Sequence, residues 1–510
     1  MKESVFELGT EADLQDLLEI CSFGRKVAMT PATRKKLSGA RKALHDFLAK
    51  SEAVYGINTG FGDLASHRIP REQCKTLQVN LIRSHACGVG EPMPAEQARG
   101  IMFLRANEMA KGHSGVRPEV VDVLVQCINK DVIPFVPTRG SVGASGDLAP
   151  SAHVALMLIG EGKARYKNSG WLPSAEVLEK AGIKPIELEE KEGLALINGT
   201  QAMQSVGGLA LMDALKVWHA ATTASAMTLE ALKGTPAPFR AEIHYLKPHA
   251  GQLETAQFLN ELLEDSEIRK THLTNDTRVQ DPYSLRCIPQ VHGAVRDALE
   301  YALDTVETEM TSVTDNPLLI WNEKSPNFAG LEIISGGNFH GMPLSIAYDS
   351  ACAAMTALGN ISERRIFQLI SDPTHILPPF LTKNSGLESG FMIAQYAAAS
   401  IASENKTLAH PACADSIPTS ANKEDFVSMG MWAAIKLGMV AKNTAAITAI
   451  ELIAAAHGLD MHKPLKGGKG VERARALVRK LVPEIHGDTS LAEPIETVRQ
   501  AILDGQFVII

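Results

Sequence analysis

The sequence predicts a mainly α-helical protein, and three features of its second half carry that prediction. From about Thr200 the chain falls into long runs with apolar residues at helical spacing, as in Gln204 to Lys233 with Leu211, Leu215 and Trp218. The runs end at helix stops: Gly234 and Pro236 after the first, Asp372-Pro373 after Pro343 to about Ile370, and His410-Pro411 after Ser389 to Leu408. They are rich in Ala, Met and Leu, and small residues on many faces suit helices buried among other helices, in a bundle or an oligomer. Asp425 to Gly458 reads as one or two more.

The first 200 residues are mixed. Short periodic segments alternate with Gly- and Pro-rich stretches such as Tyr55 to Gly62 and Pro134 to Pro150, which reads as an α-rich unit with irregular loops. A chain of 510 residues exceeds one ordinary domain. The predicted organisation is an N-terminal domain over 1–200 and a long helical bundle with C-terminal helices over 201–510. No 20–50-residue repeat occurs. The basic stretch Lys463 to Lys469 contains Gly-Gly-Lys-Gly and reads as a solvated loop, because no strand–loop–helix pattern surrounds it.

Composition narrows the function. A net charge of -8 argues against nucleic acid or an anionic membrane as the main partner. The start, Met1 to Val5, carries no basic-then-apolar signal, and the Ala-rich stretch Asn443 to Gly458 is interrupted by Glu451, so no membrane span is expected. Seven scattered cysteines without a C-x-x-C pair suit reduced thiols in a cytoplasm. Sixteen histidines include no H-E-x-x-H, and His244/His249 and His457/His462 are each five apart, off one helical face. No metal is expected.

One string resists a bland reading. Thr138 to Pro150 reads T-R-G-S-V-G-A-S-G-D-L-A-P. It is not a P-loop, since no Gly-Lys-Ser/Thr follows. It is not a nucleophile elbow, which would need glycine where Asp147 stands. A dinucleotide fingerprint lacks its third glycine. An isolated Ala-Ser-Gly would be a flexible loop and nothing more.

The whole string G-A-S-G-D-L-A-P resembles the signature of the aromatic amino-acid lyases and aminomutases, the family of histidine, phenylalanine and tyrosine ammonia-lyases. The resemblance implies that Ala144, Ser145 and Gly146 cyclise autocatalytically to 4-methylidene-imidazol-5-one, with no external cofactor. The residue types suit that chemistry. The Gly146 nitrogen must attack the Ala144 carbonyl carbon, and glycine tolerates the tight geometry. Ser145 carries a hydroxyl that can leave as water. Such an electrophile makes the α-amine a better leaving group, and a positioned base then takes the β-proton.

Further strings match in family order, from Tyr55 to about Pro464. Tyr55-Gly56-Ile57-Asn58-Thr59-Gly60 is similar to the N-terminal loop, which makes Tyr55 the candidate base. Ile197-Asn198-Gly199-Thr200 is similar to the segment whose asparagine contacts prosthetic group and substrate. In Gln280-Asp281-Pro282-Tyr283-Ser284-Leu285-Arg286, the resemblance implies that Gln280 lines the site, Tyr283 lies beside the electrophile and Arg286 binds the carboxylate. A guanidinium fork suits a planar carboxylate. Ser335 to His340 is similar to a pocket-lining segment, with Phe339 near the electrophile.

Two positions select the substrate. Ser84-His85 resembles the pair in histidine-specific members, where tyrosine lyases place His-Leu and phenylalanine lyases Phe-Leu. Glu424 stands where phenylalanine and tyrosine lyases carry glutamine. Imidazole offers an N–H and can be protonated, so a carboxylate can pair with it. A phenyl ring offers that carboxylate nothing, and burying it unpaired is costly. The resemblance therefore implies conversion of L-histidine to trans-urocanate and ammonia, the first step of histidine degradation. It also implies a homotetramer whose active sites are each shared by three chains. The alternatives are a tyrosine or phenylalanine ammonia-lyase or an aminomutase of the same family. There are two departures from the histidine-specific Gln-Glu-Asp-His-Val-Ser-Met, namely Lys423 and Phe426. Lys423 could pair with Glu424, and Phe426 replaces a histidine.

Overall fold

The computed structural model describes residues 4–49, 69–70, 73–274, 276, 278–322 and 328–509. Helices dominate it, as the periodicity predicts. The chain divides into two compact units, each made of discontinuous stretches. The first comprises Met1–Leu209, Leu303–Tyr348 and Pro411–Ile435; the second comprises Ala210–Ala302, Asp349–His410 and Lys436–Ile510.

In the first unit the helix Ala95–Ala110 is the central piece. From Gly100 to Ala110 every residue is buried, including the polar Arg105, Asn107 and Glu108. Such a helix needs internal partners for its charges. Leu14–Ser22 packs on it, started by a capping box in which Asp13 accepts from the Asp16 N–H and Asp16 from the Asp13 N–H. Pro118–Lys130 packs on it too, burying Val120, Val121, Leu124, Cys127 and Ile128 at helical spacing. It stops at Asp131, whose φ of +61 ends the helix in a left-handed turn.

The N-terminal region also contains short strands that periodicity does not reveal. Val132–Pro134, Lys163–Tyr166 and Leu172–Pro173 form a three-stranded antiparallel sheet. Val89–Pro92 pairs with Pro137–Arg139, placing Val89 opposite Arg139. That pairing delivers the chain into the loop at 140–147.

The second unit is helical throughout its core. Its helix segments belong to Gln201–Ala231, Ala250–Leu262, Ile288–Thr311, Met342–Ile370, Met392–Leu408, Gly430–Asp460, Lys469–Leu481 and Ala492–Leu503. The predicted runs fall on these with ends shifted by a few residues, except the last long one. That helix starts at Gly430, not Asp425, because Met429 takes a left-handed φ of +53. Gly430–Asp460 is long and apolar enough to cross a membrane by length and composition, and most of it is buried within the protein.

A polar network sits inside this core. Arg365 and Glu451 are both fully buried, with Arg365 Nε donating to Glu451 Oε1 at 2.6 Å and Nη2 to Oε2 at 2.9 Å. Thr228 and Ser362 hydroxyls donate to the same carboxylate at 2.8 and 2.5 Å. Arg365 Nη1 faces His292 Nε2 at 3.2 Å, and guanidinium can only donate, so Nε2 is the acceptor and Nδ1 carries the proton toward Thr222. Burial and Arg365 hold His292 well below the usual histidine range.

The Gly-Gly-Lys-Gly stretch is not a solvated loop. Gly467, Gly468 and Gly470 are buried, and a Cβ at 468 or 470 would meet Leu262 or Leu263 at 2.5 Å. The Gly468 N–H donates to Glu230 at 2.8 Å, which caps the helix Lys469–Leu481. Burial pushes the Glu230 carboxyl up to about 7, against the pull of its hydrogen bonds with Ser266 and Gly468.

Candidate active site

The loop that carries the tripeptide lies in the first unit, between the strand Pro137–Arg139 and the helix Leu148–Leu158. Ser145 and Gly146 have φ of +51 and +77, so the chain turns sharply through two consecutive left-handed residues. A side chain at Gly146 is excluded, since its Cβ would lie 2.1 Å from the Gly199 carbonyl oxygen. Gly199 brackets the tripeptide from the other side. Its N–H donates to the Ser145 carbonyl at 3.2 Å, and its carbonyl accepts from the Asp147 N–H at 2.8 Å. The loop is thus compact, strained at a serine, and pressed against a second backbone segment. The residues present fit the internal electrophile, with a glycine where a Cβ is excluded and a serine whose hydroxyl can leave.

Asp147 is fully buried beneath the loop. Its carboxylate accepts from the Ser141 hydroxyl at 3.0 Å and the Met203 N–H at 2.7 Å. Burial raises its pKa to about 7 although both hydrogen bonds pull the other way.

Asn198 ends the short helix Glu192–Ile197 and is 2% exposed. Its side-chain nitrogen donates to Asp315 Oδ1 at 3.4 Å and the Asn316 carbonyl at 3.1 Å. Both partners are pure acceptors, so the amide orientation is fixed with its oxygen turned the other way. Asp315 is held by Lys191 at 2.7 Å, and both are fully buried.

Glu424 meets the loop directly. The Ser145 hydroxyl donates to Glu424 Oε1 at 3.2 Å, and the Thr419 hydroxyl donates to Oε2 at 2.7 Å. Glu424 is not on a helix. It follows the short turn Ser420–Asn422, and its backbone pairs with Thr419. Lys423 is exposed, and no ion pair between it and Glu424 occurs among the described residues. Phe426 stacks on His340 at 6.0 Å with an interplanar angle of 7°, and its carbonyl faces His340 Nε2 at 3.2 Å.

His85 is half-buried at the end of the helix Cys74–His85. Its Nδ1 lies 2.8 Å from the Leu81 carbonyl, which can only accept, so Nδ1 carries the proton. Burial lowers its pKa, while the Leu81 hydrogen bond and the charge of Glu424 oppose that shift. Phe339 sits half-buried just before the helix Met342–Ile370.

Tyr283 and Arg286 belong to the second unit, on the short helix Tyr283–Arg286, and Gln280 is exposed just before it. The Arg286 guanidinium lies over the Tyr283 ring at 4.4 Å. Its Nε is buried and has no hydrogen-bond partner among the described residues. Tyr55 lies outside the described residues. His45, Glu189 and Glu190 place possible ligand atoms within 4.8 Å of one another. Both carboxylates are already paired with Arg41, at 3.0 and 3.4 Å, so the cluster is charge-compensated.

Sequence reasoning did not single out Asp147, Arg105, Glu108 or Thr419. Arg105 and Glu108 carried a signal, being charged residues in an otherwise buried stretch of helix. Thr419 carried none, because its contact depends on how the turn folds back.

The chain has extensive relatives. The aromatic amino acid lyase pattern matches residues 12–480. A histidine ammonia-lyase of Stigmatella aurantiaca is 48% identical over 500 residues, covering 98% of this chain and 96% of that one. Among solved structures, a histidine ammonia-lyase from Trypanosoma cruzi superposes with a TM-score of 0.90 at 39% identity, covering 99% of this chain and 94% of that chain. A tyrosine aminomutase from Streptomyces globisporus gives 0.91 at 34% identity, over 99% and 98%. With a match over this span and identities at this level, the chain belongs to the aromatic amino acid lyase family.

Proposed function

We propose that the protein is an ammonia-lyase that converts L-histidine to trans-urocanate and ammonia, using an electrophile formed from its own Ala144, Ser145 and Gly146. The observation that carries this reading is the carboxylate of Glu424 on the hydroxyl of Ser145 at 3.2 Å. A carboxylate beside the reacting centre suits an imidazole, which supplies an N–H and a positive charge. A phenyl or phenol ring would leave it without a charge partner. The 48% identity to a protein named histidine ammonia-lyase supports the same substrate.

Once formed, 4-methylidene-imidazol-5-one would supply an electrophilic carbon that activates the α-amine for departure. The remaining work falls to side chains. Glu424 accepts from the substrate ring and balances its charge. His85, neutral with Nε2 as acceptor, offers a second partner near it. Asn198 presents its amide oxygen. Arg286 binds the carboxylate through its fork, backed by the Tyr283 ring. Tyr283 and Tyr55 are the candidates for proton handling, with Gln280 and Phe339 lining the substrate.

The reading includes a cytoplasmic location and a homotetramer with active sites shared between chains. Tyr283 is 70% exposed, Val279 fully exposed, and Ile393 and Tyr396 each 60% exposed in the second unit. Apolar surface of that extent suits burial by further copies of the chain. Light scattering on the purified protein tests the assembly.

The deciding experiment is ultraviolet absorbance of purified protein with L-histidine, L-tyrosine and L-phenylalanine in parallel. A rise at the urocanate band with histidine alone is expected. A cinnamate or coumarate band, or a β-amino acid product, would move the substrate or the reaction. Intact mass showing a two-water deficit reports the electrophile independently of turnover.

A further inference from the structure

Ring closure joins the Gly146 nitrogen to the Ala144 carbonyl carbon. The Ala144 oxygen leaves as water with the amide hydrogens of Ser145 and Gly146. The Ser145 hydroxyl leaves as a second water with its Cα hydrogen. The structure holds the atoms flanking Gly146 on Gly199, so what fixes Gly199 governs the approach.

Gly199 sits in a buried polar cage. A Cβ there would meet Gln201 Oε1 and Thr314 Oγ1 at 2.7 Å and Arg105 Nη1 at 3.2 Å. Arg105 Nη1 donates to the Asn198 carbonyl at 2.6 Å, next to the bracketing peptide, and to Glu108 Oε2 at 3.1 Å. Glu108 is the hub of the cage. It also accepts from the Gln201 amide and from the Thr314 N–H at 2.8 Å. Gln201 donates in turn to Thr314 at 2.9 Å. Arg105 and Glu108 are 1% and 3% exposed.

A buried ion pair is a poor stability device, because apolar residues of similar volume usually serve as well. Arg105 is also incompletely satisfied, with Nε and Nη2 buried and without a partner among the described residues. What it supplies that an apolar residue cannot is a directed donor to the Asn198 carbonyl.

We propose that Arg105 and Glu108 are positioning residues for making the electrophile: they fix Asn198-Gly199 as the template against which Ala144-Ser145-Gly146 closes. They act on formation of the ring and not on its use. This inference rests on the electrophile reading above.

The test follows ring formation by intact mass, sampled at intervals after a short pulse of synthesis. The main variant combines Arg105→Met with Glu108→Gln, which removes the donor without leaving an unpaired buried charge. The two-water deficit should develop about tenfold more slowly, the effect of losing one charge-assisted hydrogen bond. Turnover per ring-bearing chain should stay at the wild-type value. If the double variant does not fold, Arg105→Lys carries the test, keeping the charge and losing the planar fork; it should also slow the deficit. Ile502→Ala, in the second unit's core, controls for lost stability and should mature at the wild-type rate. Equal slowing in that control, or a wild-type maturation rate in the Arg105 variants, overturns the inference. So does normal maturation with lowered turnover per ring. A wild-type chain without the deficit overturns the electrophile reading itself, and this inference with it.

Discussion

Glu424 Oε1 accepts a hydrogen bond from the Ser145 hydroxyl at 3.2 Å, across 279 positions of sequence. The residue chosen for substrate recognition and the residue at the centre of the reacting tripeptide therefore share one contact. The Thr419 hydroxyl holds the other carboxylate oxygen at 2.7 Å, so the group is oriented and not merely nearby.

Glu424→Gln keeps an acceptor for Ser145 and removes the charge. Histidine kcat/KM should fall by about tenfold to a hundredfold, the range for a lost hydrogen bond to a charged group. The two-water mass deficit should be unchanged. Steady-state kinetics at wild-type values would remove Glu424 from substrate recognition.

Ser145→Ala lacks the hydroxyl that must leave. Turnover should vanish, and the protein should have the full mass of its translated sequence. Assay at high enzyme concentration with mass spectrometry checks both; substantial residual turnover would remove the electrophile from the mechanism.

Arg286→Lys retains a positive charge but not the fork, whose Nε is buried without a partner among the described residues. The KM for histidine should rise by about tenfold or more as a bidentate pair becomes a single contact. A KM within error of the wild type would place the carboxylate elsewhere.

Glu230 gives a pH prediction for the second unit's stability. Its pKa is about 7 in the folded chain against an ordinary 4.5, with burial the main cause. Below about 4.5 the group is protonated whether folded or not. Between 4.5 and 7 the folded chain holds a proton that the unfolded chain has lost, so stability falls as pH rises through this window and is level above it. Relative to Glu230→Gln, the wild type should lose on the order of 3 kcal/mol across the window, an upper value for a shift of that size. Urea midpoints of both proteins at pH 4.5 and 7.5 measure the difference. A constant difference would show that Glu230 is not the titrating group.

The sequence made legible what local pattern and motif carry. The helical runs after Thr200 appear because their apolar periodicity is long and their stops are Gly and Pro. The tripeptide loop appears because its residues are chemically unusual together. Geometry that depends on distant packing did not appear. The start of Gly430–Asp460 was displaced because Met429 is left-handed, a conformation its residue type does not advertise. Gly468 and Gly470 read as part of a solvated loop, yet they are glycines because Leu262 and Leu263 press against them. Lys423 reads as a possible partner for Glu424, yet Lys423 is exposed and the Glu424 carboxylate is taken by Ser145 and Thr419. The Arg105–Glu108 pair was visible only as charge in the wrong place.

The buried Arg365–Glu451 pair has a consequence before folding is complete. The helix Gly430–Asp460 is long and apolar enough, by length and composition, for a lipid bilayer. Before Arg365 is in place the charge is uncompensated, and an ionisable residue inside such a segment costs up to about 3 kcal/mol to insert. Lys436 and Lys442 on the same helix add to that cost. Glu451 thus raises the cost of placing the segment in a bilayer, and Arg365 makes the same charge acceptable to the finished core.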